Sequence, residues 1–136
     1  MTGIFHRPRR ILTWHVHGNY LYYLSQMRHE LYLVTDEERS PGHSGRSGVL
    51  PWGWNVHEAR VEDIRDMEFD LVLYQSRDAW EVERHQLLSA AQRRLPSIYI
   101  EHDPPLTHPT ECRHWVDDPS CVLVHVTPFN ALMWDS

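Results

Sequence analysis

The sequence predicts an α/β fold: a Rossmann-like, doubly wound, mostly parallel sheet in a single domain. Three observations carry this. Short apolar runs rich in β-branched and aromatic residues recur, notably 69–74, 98–100 and 121–126, and such runs read as strands buried in a sheet. Stretches with apolar residues three and four apart lie between them, as helices would. Two runs end in polar groups, Gln75-Ser76-Arg77 and Glu101-His102-Asp103. In open α/β sheets ligands sit outside such carboxyl ends.

Residues 11–16 read as the first strand. His17-Gly18-Asn19 follows, with Tyr20, Leu21, Tyr23, Leu24 and Met27 at helical spacing, so a helix is expected from Asn19, a good N-cap. Only one glycine stands in this turn, so the G-x-G-x-x-G dinucleotide fingerprint is missing. Residues 29–34 read as a second strand and 55–59 as a short third. Between them, residues 35–54 form a long flexible loop that holds four of the six glycines. Arg46 there could grip an anion, or be part of a solvated loop; Trp52 and Trp54 could stack on a sugar or tuck onto the core.

Residues 61–67 suggest a brief helical turn, and 69–74 give a strong strand signal. Asp78, with Glu81 three residues on, resembles a capping box opening a helix over Trp80, Leu87, Leu88, Ala91 and Leu95. Residues 97–100 form the next strand, stopped by Pro104 and Pro105. A strand at 121–126 leads to a helix with Thr127 as N-cap and Pro128 at its first position. That helix, with Phe129, Leu132, Met133 and Trp134, reads as cut off mid-element, so the domain is expected to be incomplete at its C-terminus, with those four residues favouring self-association.

Composition narrows the function. The 136 residues suit one domain. The formal charge of −6 argues against a nucleic-acid partner. All 13 basic residues are arginine. Two cysteines make no disulfide framework. The expectation is a reduced, cytoplasmic chain, at most peripheral at a membrane.

Within Glu101-His102-Asp103, His102 and Asp103 could form a base and its orienting carboxylate, or Asp103 could simply cap the next turn. His17, two residues after His15 and sharing its strand face, stands where a ligand could touch it. His102, Asp103, His108, Cys112, His114 and Cys121 have zinc-ligand chemistry but match no standard finger or ribbon spacing, so no metal and no cofactor is expected. Ser76 lacks the nucleophile-elbow context.

Four stretches carry a resemblance. Residues 11–19 resemble the first strand and turn of the N-terminal domain of GT-B fold glycosyltransferases, the large group that uses nucleotide-sugar donors. Residues 69–76, 99–105 and 124–135 resemble its later strand-to-cleft segments. The resemblance implies that His102 stands near the donor sugar, and that Gly18, with Asn19, lies near the transferring phosphate. It also implies a substrate cleft to which His17, Gln75, Ser76, Glu101, Thr127 and Asn130 belong. In that family a second Rossmann-like domain binds most of the nucleotide sugar. The expectation is therefore an acceptor-side domain of a hexosyl-transferring enzyme, inactive alone, whose partners in a full-length protein are the donor and an unknown acceptor. Two alternatives stand beside it: a free-standing flavodoxin-like small-ligand or interaction module, and a His/Cys metal-bound structural protein.

Overall fold

Six strands line up in the order β3-β2-β1-β4-β5-β6, all parallel. They are β1 (Arg10–Thr13), β2 (Glu30–Thr35), β3 (Val56–Arg60), β4 (Leu71–Tyr74), β5 (Ser97–Glu101) and β6 (Cys121–His125). The computed structural model describes residues 7–106 and 112–135. The order reverses between β1 and β4, the two central strands, so their carboxyl ends bound a switch-point crevice.

Both faces of the inner strands are buried, which is why those strands read as near-continuous apolar runs. Leu12, Val34, Val72, Tyr74 and Tyr99 point to one face, where Trp80 and Leu88 pack on them. Ile11, Leu73 and Ile100 point to the other, with Leu24 and Met27 against them. Leu31, Leu33 and Val56 share that second face with the fully buried Leu21. Full burial of each such side chain stabilises by about 1.5–3 kcal/mol. Helix α1 (Gly18–Leu24) and the helices after β4 therefore cover opposite faces, the doubly wound arrangement.

Apart from β1, which ends three residues before its expected end, the strands fall within two residues of their sequence-predicted bounds, and the local departures are informative. Helix α1 starts a residue earlier than Asn19, and its N-cap is His17 in the left-handed region (φ 51°, ψ 61°). Strand β1 stops at Thr13, so His15 and His17 do not share a strand face; His15 turns to the Gly45 carbonyl at 2.6 Å.

The expected single helix after β4 is broken. A π-helical turn (Ala79–Glu83) leads into α2 (Arg84–Leu87), then the chain extends at Leu88 and restarts as α3 (Ala90–Arg93). Asp78 makes no side-chain cap; Ser76 Oγ accepts the Ala79 N–H instead, at 3.2 Å. The capping box is Ser89 with Gln92. Gln92 also donates to the carbonyls of Ile64 and Met67, at 2.7 and 2.9 Å. Burial of Leu88, which is 1% exposed, and the local cap offered by Ser89 together outweigh continuous helical propensity. At α4 (Pro128–Met133) the expected cap is present: Thr127 Oγ1 accepts the Asn130 N–H at 3.0 Å.

The loop between β2 and β3 contains no helix or strand, yet it is tied down at many points. Arg39 pairs with Glu58 of β3 through both terminal guanidinium nitrogens. Glu58 also accepts the Arg46 N–H at 2.8 Å. Gly45 (φ +59°) is required here: a Cβ would sit 2.2 Å from Glu58 Oε2 and 2.5 Å from Thr35 Oγ1. Arg46 donates to the Trp52 carbonyl at 3.2 Å. Trp52 packs on the second core cluster, and Trp54 is exposed.

Candidate functional site

At the crevice between β1 and β4 a chain of hydrogen bonds sets the chemistry. Thr13 Oγ1 donates to the Leu73 carbonyl at 2.8 Å, which uses its only proton. Gln75 Nε2 then donates to Thr13 Oγ1 at 3.2 Å and faces the Trp14 carbonyl at 3.5 Å. This turns Gln75 Oε1 towards His102, whose Nε2 lies 3.0 Å away. Because Gln75 Oε1 can only accept, His102 carries its proton on Nε2. Its Nδ1 holds an open lone pair, with no hydrogen-bond partner among the described residues.

The ring of His102 is packed as well as hydrogen-bonded. It stacks on His17, ring centroids 3.9 Å apart, and meets the edge of Tyr20 at 4.7 Å. Burial, and then the neighbouring His17, lower its pKa to about 4. His102 is therefore uncharged at neutral pH. The left-handed backbone at His17 is uncommon for a residue with a Cβ, and such strain concentrates at functional sites.

The loop beyond β5 is clamped from three sides. The Glu101 carboxylate is buried; Oε2 accepts the Asp103 N–H at 3.0 Å. Its other oxygen lies 2.7 Å from His114 Nε2. His114 Nδ1 accepts the Val116 N–H at 3.0 Å, so the ring proton is on Nε2 and points at Glu101. From α4, Asn130 Nδ2 donates to the His102 carbonyl at 3.3 Å, and Trp134 Nε1 donates to the Asp103 carbonyl at 2.8 Å. Beside this loop, at the carboxyl ends of β4 and β5, opens a cavity of about 950 Å³. His17, Gln75, Glu101, His114, Trp115 and Trp134 stand on its wall; His102 does not. Arg77 covers the Trp115 ring at 4.8 Å and pairs with Glu81 at 2.9 Å.

The residues singled out from sequence thus divide. The fold brings His17, Gln75 and His102 into contact. Gly18 lies beside them, where a Cβ would press on His15 Nε2 at 3.1 Å. Glu101 stands on the cavity wall with its carboxylate engaged by the Asp103 N–H and His114, and Asn130 holds the loop. Ser76 and Thr127 spend their hydroxyls on helix starts. Asn19 is exposed on α1. Asp103 is exposed, and no hydrogen bond joins its carboxylate to His102 among the described residues, so Gln75 and not Asp103 orients the imidazole. Thr13 and Tyr20 were not singled out: a threonine ending a strand reads as a β-former, and a tyrosine in a helix as packing. Of the His/Cys cluster, His108 lies outside the described residues, His114 is engaged with Glu101, and Cys121 is buried. Among the described residues no group of three His, Cys, Asp or Glu side chains is arranged to hold a metal.

Fold and site together define a Rossmann-like α/β protein with an uncharged, tautomer-fixed histidine at its switch point. Among family models, curated proteins and solved structures, none matches this chain. No helix among the described residues is long and apolar enough to cross a membrane.

Proposed function

We propose that the chain is the acceptor-side domain of a glycosyltransferase that uses a nucleotide-sugar donor. The observation that carries the reading is His102 at the carboxyl end of β5, beside the switch point, with its proton fixed on Nε2 and the Nδ1 lone pair without a partner among the described residues. An imidazole with a pKa of about 4 is poorly suited to pair with phosphate as a cation. It is suited to accept a hydrogen bond from a hydroxyl and so to orient an acceptor or sugar oxygen. His17 and Tyr20 would flank that hydroxyl. Helix α1 has only seven residues, so its N-terminus adds little field for a diphosphate. The resemblance assigns donor binding to a second Rossmann-like domain, and the described residues build one sheet. The chain alone is therefore expected to transfer no sugar.

The test is a backbone-amide NMR titration of the purified chain with methyl glycosides and, separately, with UDP-glucose and GDP-mannose, beside a transfer assay on the same samples. The reading predicts shifts around His17, Tyr20 and His102 with at least one glycoside, weak or no shifts with the nucleotide sugars, and no turnover. Turnover by the chain alone, tighter binding of nucleotide sugars than of any glycoside, or glycoside binding confined to another surface would overturn it.

A further inference from the structure

The loop after β2 is joined to the far side of the switch-point crevice through one side chain, His43. Within the loop, the Asp36 N–H donates to the His43 carbonyl at 3.0 Å and the His43 N–H to the Ser40 carbonyl at 2.8 Å, which closes residues 36–43 into a compact turn. The turn crosses β1's carboxyl end, where Gly42 forms a bridge with His15 and Ser44 one with Thr35. There His43 reaches the π-helical turn that follows β4. Its Nδ1 lies 3.1 Å from Asp36 Oδ2, and its Nε2 contacts Glu83 Oε1. The three side chains are only 13–20% exposed.

Both ring nitrogens therefore face carboxylate oxygens, which accept and do not donate when ionised. Only the imidazolium has a proton for each. Asp36 is held ionised: the Ser40 hydroxyl and N–H lower its pKa to about 2. Among the described residues no other titratable group faces His43. Arg84, next to Glu83, is turned over the Trp80 ring at 3.7 Å, and Arg39 pairs with Glu58. Ser40 Oγ stands 3.5 Å from His43 Nδ1 and is itself bonded to Asp36.

We propose that residues 36–48 are a proton-gated strap, fastened across the crevice while His43 is an imidazolium and released from Glu83 when that proton leaves to solvent. The strap carries the Gly45 carbonyl that His15 bonds, and the His15 ring lies beside Gly18, so release loosens the wall next to His17. The inference stands apart from the proposed transferase role, since it needs no ligand. The sign follows from the two carboxylates. Burial opposes the charge, but the bonds to Glu83 and Asp36 prevail and raise the His43 pKa above its ordinary value. The strap is thus fully fastened below about pH 6.5, and it opens as pH rises through the higher folded-state value.

The experiment is NMR on the full chain at about pH 6 and about pH 9, reading the backbone heteronuclear NOE of residues 37–48 and the His43 ring nitrogens, spanning the ordinary histidine range. Wild type should show both ring nitrogens protonated and a rigid strap at the lower pH, and reduced NOEs across 38–47 at the higher. His43→Gln, which cannot form the charged double bond, should show the reduced NOEs at both pH values. Glu83→Gln should move the midpoint down and leave far-UV circular dichroism unchanged. A wild-type strap equally rigid at both pH values, or a folded His43→Gln protein with wild-type NOEs and pH response, would overturn the proposal. If His43→Gln fails to fold, the Glu83→Gln midpoint decides: an unchanged midpoint sinks it.

Discussion

Thr13 is the least conspicuous residue of the site and has the clearest predicted effect. Its hydroxyl donates to the Leu73 carbonyl and accepts from Gln75, and no part of it is exposed. Thr13→Val keeps the shape but leaves a buried carbonyl and one buried amide proton without this partner. The expected loss is about 1–3 kcal/mol of unfolding free energy in urea denaturation, since each unsatisfied buried group carries its desolvation cost. A loss close to zero would mean that the relay is not made. The residue was not legible because its role depends on β4, sixty residues away in sequence. His102, by contrast, was legible: a strand that stops at adjacent titratable groups and two prolines marks a carboxyl-edge loop. Its partner was not, because adjacency in sequence suggested Asp103, whereas topology supplied Gln75.

At the scale of elements, the two sheet edges differ. Edge strand β3 carries His57, Glu58 and Arg60, and Glu58 is tied to Arg39. Edge strand β6, Cys121-Val122-Leu123-Val124-His125, has no acidic, arginine or proline residue to discourage pairing. Val122 is 61% exposed, and α4 adds Phe129 at 67% and Leu132 at 86%. Trp134, grouped with these from sequence, is instead half-buried and bonded to the Asp103 carbonyl. Self-association through β6 and α4 is therefore expected. Light scattering should give an apparent mass that rises with concentration, and Val122→Lys should suppress the rise; a monomer at every concentration would contradict it. The inner strands were legible in the apolar runs because parallel strands are buried on both faces. The π-helical turn and the break at Leu88 were not, because an apolar spacing fits a continuous helix equally well until the burial of Leu88 is known.

At the scale of the whole molecule, the 3-2-1-4-5-6 order brings Thr13, His17, Gln75 and His102 together from three separate segments of the chain. Strand existence can be read from local pattern; strand order cannot, which is why His17, Gln75 and His102 were foreseeable while Thr13 and the hydrogen bonds between them were not. The arrangement also fixes a response to acid. His102 has a folded-state pKa of about 4, below the ordinary 6.5. As pH falls, the unfolded chain takes up this proton first, so His102 withdraws stability between about pH 6.5 and about pH 4 and changes little outside that window. His43 acts in the opposite sense, favouring the folded state at the lower pH. The central claim is that topology holds His102 uncharged with Nδ1 open. A long-range proton–nitrogen correlation spectrum of its imidazole at about pH 5.5, between the folded and unfolded pKa values, tests this directly. The structure predicts a neutral ring with the proton on Nε2. An imidazolium at that pH, or a proton on Nδ1, would contradict it.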